Sequence, residues 1–318
     1  MNALETIFNQ RGTHVPYASL FTLTSSGKTM DALKIVQTNL SAHPYIGVFH
    51  ALVNGDTFEI YLARSNDLRN WTTVGKIATP GDMPDIKILP DNSVLLAYEK
   101  NQSGSRPFNH LRYYSSLASL IANPGMTPTA SIDIPMTQGA AADGTPDIGR
   151  VTYNGNIYNS SIELSYHYYA NGVNDKQAVG VLSNFSSWSS SVSSAINSTF
   201  EARGYHDIGD RSVFQVNGTT YELVEANTSV PTNGVGWDRW RSFLVNLNTN
   251  EVRMLSPQIQ GGAVSVGNPN LSFVTLPDGR PAIALTFFLF CEWAEVSRYV
   301  VFLKKTKTSE ISLRSGNI

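Results

Sequence analysis

The chain has 318 residues, a formal net charge of −2 and 15% charged residues, well under the roughly 25% of an ordinary soluble domain. It carries no basic excess or Lys/Arg run that would mark a nucleic-acid footprint. It also has no apolar run near the roughly 20 residues of a membrane-spanning helix. The single cysteine, Cys291, excludes an intrachain disulfide and a cysteine-rich zinc site.

The opening stretch Met1–Gln10 has neither a basic n-region nor an apolar h-region, so it shows no signal peptide. Nine Asn-x-Ser/Thr sequons suit a secreted protein, with the cytoplasm as the alternative. Tyr17-Ala-Ser-Leu-Phe-Thr-Leu-Thr24 reads as a strand. Beyond it, strand-like runs dominate and helix-period stretches are scarce. Turn signals separate the runs: Val-Asn-Gly-Asp at 53–56, Pro-Asp-Asn at 90–92, Tyr-Asn-Gly-Asn at 153–156, Val-Asn-Gly-Thr at 216–219 and Pro-Asp-Gly at 277–279. Such turns between apolar segments predict β-hairpins.

The hairpins repeat. Units open at Thr29-Met-Asp31-Ala-Leu-Lys, Met83-Pro-Asp85-Ile-Lys, Thr145-Pro-Asp147-Ile-Gly-Arg, Tyr205-His-Asp207-Ile-Gly-Asp210-Arg and Asn268-Pro-Asn270-Leu-Ser. Each places Asp or Asn at the mouth of an apolar strand, then a turn, then a second strand. The openings at 31, 85, 147, 207 and 270 step by 54, 62, 60 and 63 residues. This period predicts an all-β chain, a five-bladed β-propeller over residues 1–318 as one domain, with the ring closed by the N-terminal strand. A double β-sandwich without repeats is the alternative.

In a propeller the innermost strands line one channel, so Asp31, Asp85, Asp147 and Asp207 would share a funnel. Carboxylates brought together raise one another's pKa, which keeps one protonated while its neighbour acts as a base. Glycoside hydrolysis needs such a pair, and inverting enzymes hold the two roughly 6.5–9.5 Å apart. The bland alternative is that each Asp caps its own turn through nearby backbone N–H groups.

After a strand of the first unit comes Ala63-Arg-Ser65-Asn-Asp67-Leu68-Arg-Asn-Trp71, echoed by Ser183-Asn-Phe-Ser-Ser-Trp188 in the third. With the repeats, the first of these resembles the five-bladed propeller glycosidases of the arabinanase, xylosidase, levansucrase and invertase superfamily, most closely glycoside hydrolase family 43. The resemblance implies an inverting glycosidase acting on arabinose-containing or related oligo- or polysaccharides. It implies a general-base Asp at Asp31, an orienting Asp at Asp147 and a general acid near 207–210. No Glu stands at that last place. Asp207 and Asp210 are the candidates there, with Glu201 and Glu225 as fallbacks. The resemblance requires no cofactor, but it admits a Ca2+ or other hydrated cation in the central channel near His50 and His167. The six His have no zinc-ligand spacing.

The remaining candidates bind substrate. Asp85 is an extra pocket carboxylate. Arg150 and Arg211 follow the Asp-Ile-Gly motifs and either grip an anionic group or pair with a carboxylate. His206 adjoins Asp207. Trp237, Trp240 and Trp293 offer aromatic faces to sugar C–H groups or pack between blades. Asn270 holds the fifth strand mouth. Trp71 and Trp188 are expected to be structural, and Cys291 to be a core residue. The reading that follows is a monomeric glycosidase with no nucleic-acid or membrane partner. The alternatives are a lectin-like sugar-binding propeller and a scaffold for a protein partner.

Overall fold

Apolar runs broken by Asn-Gly and Asp-Gly bury themselves as antiparallel strands. The tightest hairpin shows why those residues stand where they do. Asn217 and Gly218, at φ 51° and 77°, form the two-residue loop between Val216 and Thr219. A type I′ turn demands positive φ at both positions.

The computed structural model describes residues 1–9, 18–20, 30–55, 57–101, 106–170, 174–228, 239–256, 265–291 and 294–305. It divides into two units, Thr22–Ser193 with Asn317–Ile318, and Ser194–Gly316 with Met1–Phe21. Helix α1 (Asn2–Asn9) and strand β1 (Ala18–Leu20) come first. The Thr22–Ser193 unit then forms three four-stranded sheets. The first holds β2 (Asp31–Gln37), β3 (Tyr45–Asn54), β4 (Thr57–Ser65) and β5 (Trp71–Ala78). The second holds β6 (Asp82–Ile88), β7 (Val94–Lys100), β8 (Phe108–Tyr114) and, after helix α2 (Leu117–Ala122), β9 (Ala130–Asp133). The third holds β10 (Asp143–Thr152), β11 (Ser161–Ala170), β12 (Asn174–Ser183) and β13 (Ser187–Val192).

The other unit opens with helix α3 (Ser194–Glu201) and carries two four-stranded sheets. One is β14 (His206–Val216), β15 (Thr219–Asn227), β16 (Trp240–Asn246) and β17 (Glu251–Met254). The last is β18 (Ser265–Thr275), β19 (Pro281–Cys291) and β20 (Ala294–Lys305), with β1 added beside β20. Of the strand expected over 17–24, Ala18 to Leu20 form β1, paired antiparallel with Phe302 to Val300, and the rest lies outside the described residues. No helix among the described residues is long and apolar enough to cross a membrane.

Packing follows side-chain alternation. Ile46, Val48, Ile60 and Leu62 of the first sheet pack with Leu96 and Tyr98 of the second. Leu95, Ala97 and Leu111, on the other face of the second sheet, pack with Ile148, Ile162 and Leu164 of the third. The second sheet is therefore apolar on both faces. In the other unit Leu223 and Leu244 meet Leu271, Ile283 and Leu285, with Leu4 and Phe8 of α1 against them. Val224, Ala226 and Phe243 take Ile196 and Phe200 of α3. Each such side chain contributes about 1.5–3 kcal/mol when fully buried.

Every sheet's first strand carries one non-glycine residue with positive φ: Ala32 (50°), Met83 (43°), Thr145 (44°), Asp207 (49°) and Asn268 (43°). The pairing register breaks at each of these residues. These kinks mark the true phase of the repeat, and the phase corrects the sequence alignment. Asp31 lies one residue before its kink, Asp85, Asp147 and Asn270 lie two after theirs, and Asp207 is itself the kink. The structural counterpart of Asp31 in the second sheet is Asp82.

The Ser65–Trp71 motif is a self-bonded turn. Ser65 Oγ accepts the N–H of Leu68 at 2.9 Å, and Asp67 Oδ1 accepts those of Arg69 and Asn70 at 2.9 and 2.8 Å. Partial burial opposes ionisation of Asp67, but these N–H groups outweigh it and hold its carboxyl below the usual range. The turn swings Trp71 over Gly47, where an added Cβ would sit 3.0 Å from the indole. In the third sheet Trp188 lies over Gly180 in the same way, with 2.2 Å left for a Cβ. Both tryptophans are structural, as expected. Gly180→Ala must displace the Trp188 indole, and about 1–3 kcal/mol of stability should go with it. A lower urea midpoint with an unchanged slope is the expected result, and an unchanged midpoint contradicts this packing.

Candidate functional site

In the Thr22–Ser193 unit the first strand of each sheet opens opposite the far end of the second. Asp31 pairs with His50, Asp82 with Glu99 and Gly144 with His167. Side-chain parity aims the second-strand residues at the next sheet. His50 lies two residues beyond Val48, which packs toward the second sheet. Its Nδ1 contacts Asp82 Oδ1 and lies 3.0 Å from the N of Met83. Glu99 lies two beyond Ala97, which packs toward the third sheet. It accepts the backbone N–H of Thr145. Its carboxylate covers Gly144 so closely that a Cβ there would sit 2.1 Å from Oε2.

The same contact recurs in the other unit. Glu225 Oε2 accepts the N–H of Asn268, and Oε1 accepts that of Asp210 at 2.9 Å. Met83, Thr145 and Asn268 are all kink residues, and each precedes a proline. At Thr145 and Asn268 the kink turns one N–H out of the strand ladder, and a carboxylate of the neighbouring sheet takes it. This clasp offsets a strain of about 1–3 kcal/mol per kink.

The clasp layer is also where charges gather. Burial acts to lower the His50 pKa, but the charge and hydrogen bond of Asp82, with Asp31 and Glu99 beyond, raise it above its ordinary value. Burial, the Asp82 charge and the more distant Asp175 push the Glu99 carboxyl up to about 8, against hydrogen bonds from Asn101 and Thr145. Glu99 is thus kept protonated near neutral pH, beside an Asp82 that is paired with His50. His167 completes the layer, its Nδ1 2.8 Å from Thr145 Oγ1 and its Nε2 3.8 Å from Asp175.

The sequence candidates lie as follows. Asp31 sits in this layer, buried at 6% exposure, beside His50. Asp85 and Asp147 belong to a second, deeper ionic layer. Asp85 Oδ2 accepts the N–H of Ile148 at 2.6 Å from the adjacent sheet. Burial raises the Asp85 pKa while Lys34 and Lys87 oppose it. Burial also lowers that of Lys87, against the charges of Asp147, Asp85 and Glu163. Arg150 is exposed.

In the other unit His206 stands opposite Asn227, Asp207 is the kink, and Asp210 Oδ1 accepts the N–H of Arg211 at 2.8 Å. Arg211 is fully buried, its Nε 3.6 Å from Glu222 and its Nη2 2.9 Å from the Gly209 carbonyl. It therefore follows the carboxylate-pairing alternative. Trp240 is buried on β16 opposite Asn227, and Asn270 is buried opposite Thr286. Of the fallback acids, Glu201 is exposed at the end of α3, and both oxygens of Glu225 are engaged in the clasp. Trp237, Trp293 and the Cys291 side chain lie outside the described residues.

Among the described residues no three His, Cys, Asp or Glu side chains are grouped to hold a metal ion. His50 and His167, expected near a channel cation, are engaged through Nδ1 by Asp82 and Thr145.

Sequence reasoning missed Asp82 and Glu99. The available signal was parity: Glu99 closes the run Val94-Leu-Leu-Ala-Tyr with the facing of Leu95 and Ala97. Asp82 stands three residues before Asp85, as far from it as Asp31 is from Lys34.

No family model and no curated protein match the chain. Solved structures do. An endo-arabinase from Bacteroides thetaiotaomicron VPI-5482 matches at 12% identity and TM-score 0.55, covering 91% of this chain and 99% of that one. A protein described as a glycoside hydrolase matches at 11% identity and TM-score 0.64, covering 96% and 95%. An α-L-arabinofuranosidase from Lactobacillus brevis matches at 9% identity and TM-score 0.56, covering 89% and 92%. At these identities the likeness shows the fold, a β-propeller of the kind found in these glycosidases.

The clasp layer predicts a pH dependence of stability. Glu99 holds its proton up to about pH 8 when folded but only to 4.5 when unfolded. The folded state then binds more protons in that window, so stability falls as pH rises through it. His50 acts with the same sign above 6.5, because its folded pKa is raised. Glu99→Gln should flatten urea midpoints measured from about pH 5 to 8. A variant curve as steep as the wild type's contradicts the assignment.

Proposed function

We propose that the protein is a glycoside hydrolase that cleaves arabinose-containing or related glycans by acid–base catalysis. The supporting observation is the clasp layer of the Thr22–Ser193 unit, where Asp31, Asp82 and Glu99 surround His50 at one end of the sheets. The fold is one shared with an endo-arabinase and an arabinofuranosidase. A base, an acid and the means to hold them in different protonation states are what glycosidic cleavage needs.

In this reading Asp31 draws the proton from the attacking water, with inversion at the anomeric carbon. Asp147, whose charge acts on Lys87 together with that of Asp85, is the candidate to orient the substrate. Exposed Arg150 is free to reach a substrate group. Asp207, Asp210, His206, Arg211, Trp237, Trp240, Asn270 and Trp293 remain candidates to orient or hold sugar. Each sheet is taken as one blade, five in all, with β1 as the outer strand of the last. The nine sequons suit an extracellular monomer that meets polysaccharide in solution. The absence of a Glu from β14, with Glu225 engaged in its clasp, favours a second reading, a sugar-binding propeller without turnover.

A hydrolysis panel of arabinan, arabinoxylan and aryl furanosides and pyranosides separates the two. The wild type should turn over at least one of them. Asp31→Asn should lower kcat/KM by about 10²–10⁴-fold at an unchanged melting temperature. Equal activity in the two proteins removes Asp31 from the chemistry. Sugar binding by a wild type that turns over nothing favours the binding module.

A further inference from the structure

The expected acid position in the fourth sheet holds no free Glu, and an acid is still required. We infer that Glu99, on the second strand of the second sheet, is the proton donor to the departing sugar oxygen, with Asp82 and His50 as its positioning partners. This role rests on the hydrolase reading above.

Three features of geometry carry it. First, Glu99 stands in a polar row across three strands, directly opposite Asp82 on β6 and Asn109 on β8. Its side chain is half-buried at the end of its strand. Secondly, its neighbour Asp82 is already committed. It meets His50 Nδ1 and accepts the N–H of Met83 at 2.8 Å, so its oxygens are already engaged within the protein. Two like charges directly opposed on adjacent strands are unfavourable, so the proton falls to Glu99. The other ionisable side chains in the layer are Asp175 and His167 of the third sheet and Asp31 of the first.

Thirdly, the row ends on groups that lack partners. Asn109 is 1% exposed, and neither its Oδ1 nor its Nδ2 has a hydrogen-bond partner among the described residues. By parity with Leu111 it faces the third sheet, on the side where Glu99 lies over Gly144. Asp143, also 1% exposed, likewise leaves Oδ1 open. Buried polar atoms left open are costly unless a guest completes them. A hydroxyl-bearing ligand supplies both the donors and the acceptors that these atoms need.

The step balances without a further reactant. As the bond from the anomeric carbon to the glycosidic oxygen breaks, its electron pair goes to that oxygen, which takes the proton from Glu99. Water adds to the anomeric carbon and gives its proton to Asp31. Exchange with solvent then returns a proton to Glu99 and takes one from Asp31.

The test compares leaving groups. The best substrate of the panel is presented with its natural sugar leaving group and as its 2,4-dinitrophenyl glycoside, whose leaving group needs no proton. Glu99→Gln keeps an acceptor for the Thr145 N–H, and its thermal unfolding reports whether the fold survives. It should lose about 10²–10³-fold in kcat on the natural substrate and less than about tenfold on the dinitrophenyl glycoside. Glu99→Asp, which keeps the acid on a shorter arm, should recover part of the natural activity. In ¹³C spectra of the Glu carboxyls, one signal should titrate near pH 8 in the wild type and vanish in Glu99→Gln. Wild-type turnover that Glu99→Gln leaves intact, or reduces equally on both substrates, overturns the role of Glu99 alone. A wild type that hydrolyses nothing overturns the hydrolase reading, and this role with it.

Discussion

A side chain from one sheet accepting the kink N–H of the next is the interaction on which the rest of this structure depends. Glu99 does this for Thr145 and Glu225 for Asn268, while the Met83 N–H is accepted by Asp82, which His50 holds from the first sheet. Each kink aims an N–H away from its own ladder, and a buried N–H without a partner costs about 1–3 kcal/mol. The groups recruited to meet that need are ionisable, which is unusual for a purely structural contact. Ionisable side chains are thereby held at the ends of these strand pairs. Structure and candidate chemistry then share the same atoms.

That sharing explains how Glu99 keeps a proton that an exposed carboxyl would lose. Asp82 gains an imidazole and an amide N–H, while Glu99 meets burial and the Asp82 charge. The deeper layer of Lys34, Asp85, Lys87 and Asp147 is nearly charge-balanced and bridges adjacent sheets. It anchors the strands so that the upper layer keeps its geometry. Glycines complete the design where side chains come closest, since Gly144 leaves room for Glu99 and Gly209 for Glu225.

Much of this was legible in the sequence. The Asn-Gly and Asp-Gly turns marked the hairpins, the interval near sixty residues marked the sheets, and Ser65–Trp71 marked a turn that behaves as its residues require. The phase of the repeat was not legible. Asp85, Asp147 and Asn270 share an X-Pro-Asx signature two residues beyond the kink, and it drew the alignment away from Asp82. A kink is a backbone property, and nothing in the residue types of Ala32, Met83 or Thr145 announces positive φ. Glu99 was hidden for a related reason. It lies on a second strand, and its importance comes from the sheet it faces, which alternation reveals only once the neighbour is known.

The charge deficit noted at the outset sharpens this account. In a chain with few acidic residues, Asp31, Asp82 and Glu99 fall together at one end of two adjoining strand pairs. The most direct test of their joint role is a crystal structure of Asp31→Asn with an uncleaved oligosaccharide from the hydrolysis panel. The account predicts the glycosidic oxygen about 2.6–3.2 Å from a Glu99 carboxyl oxygen, with a sugar hydroxyl on the Asn109 carboxamide. A sugar bound with Glu99 turned away, its oxygens bonded only within the protein, would contradict it.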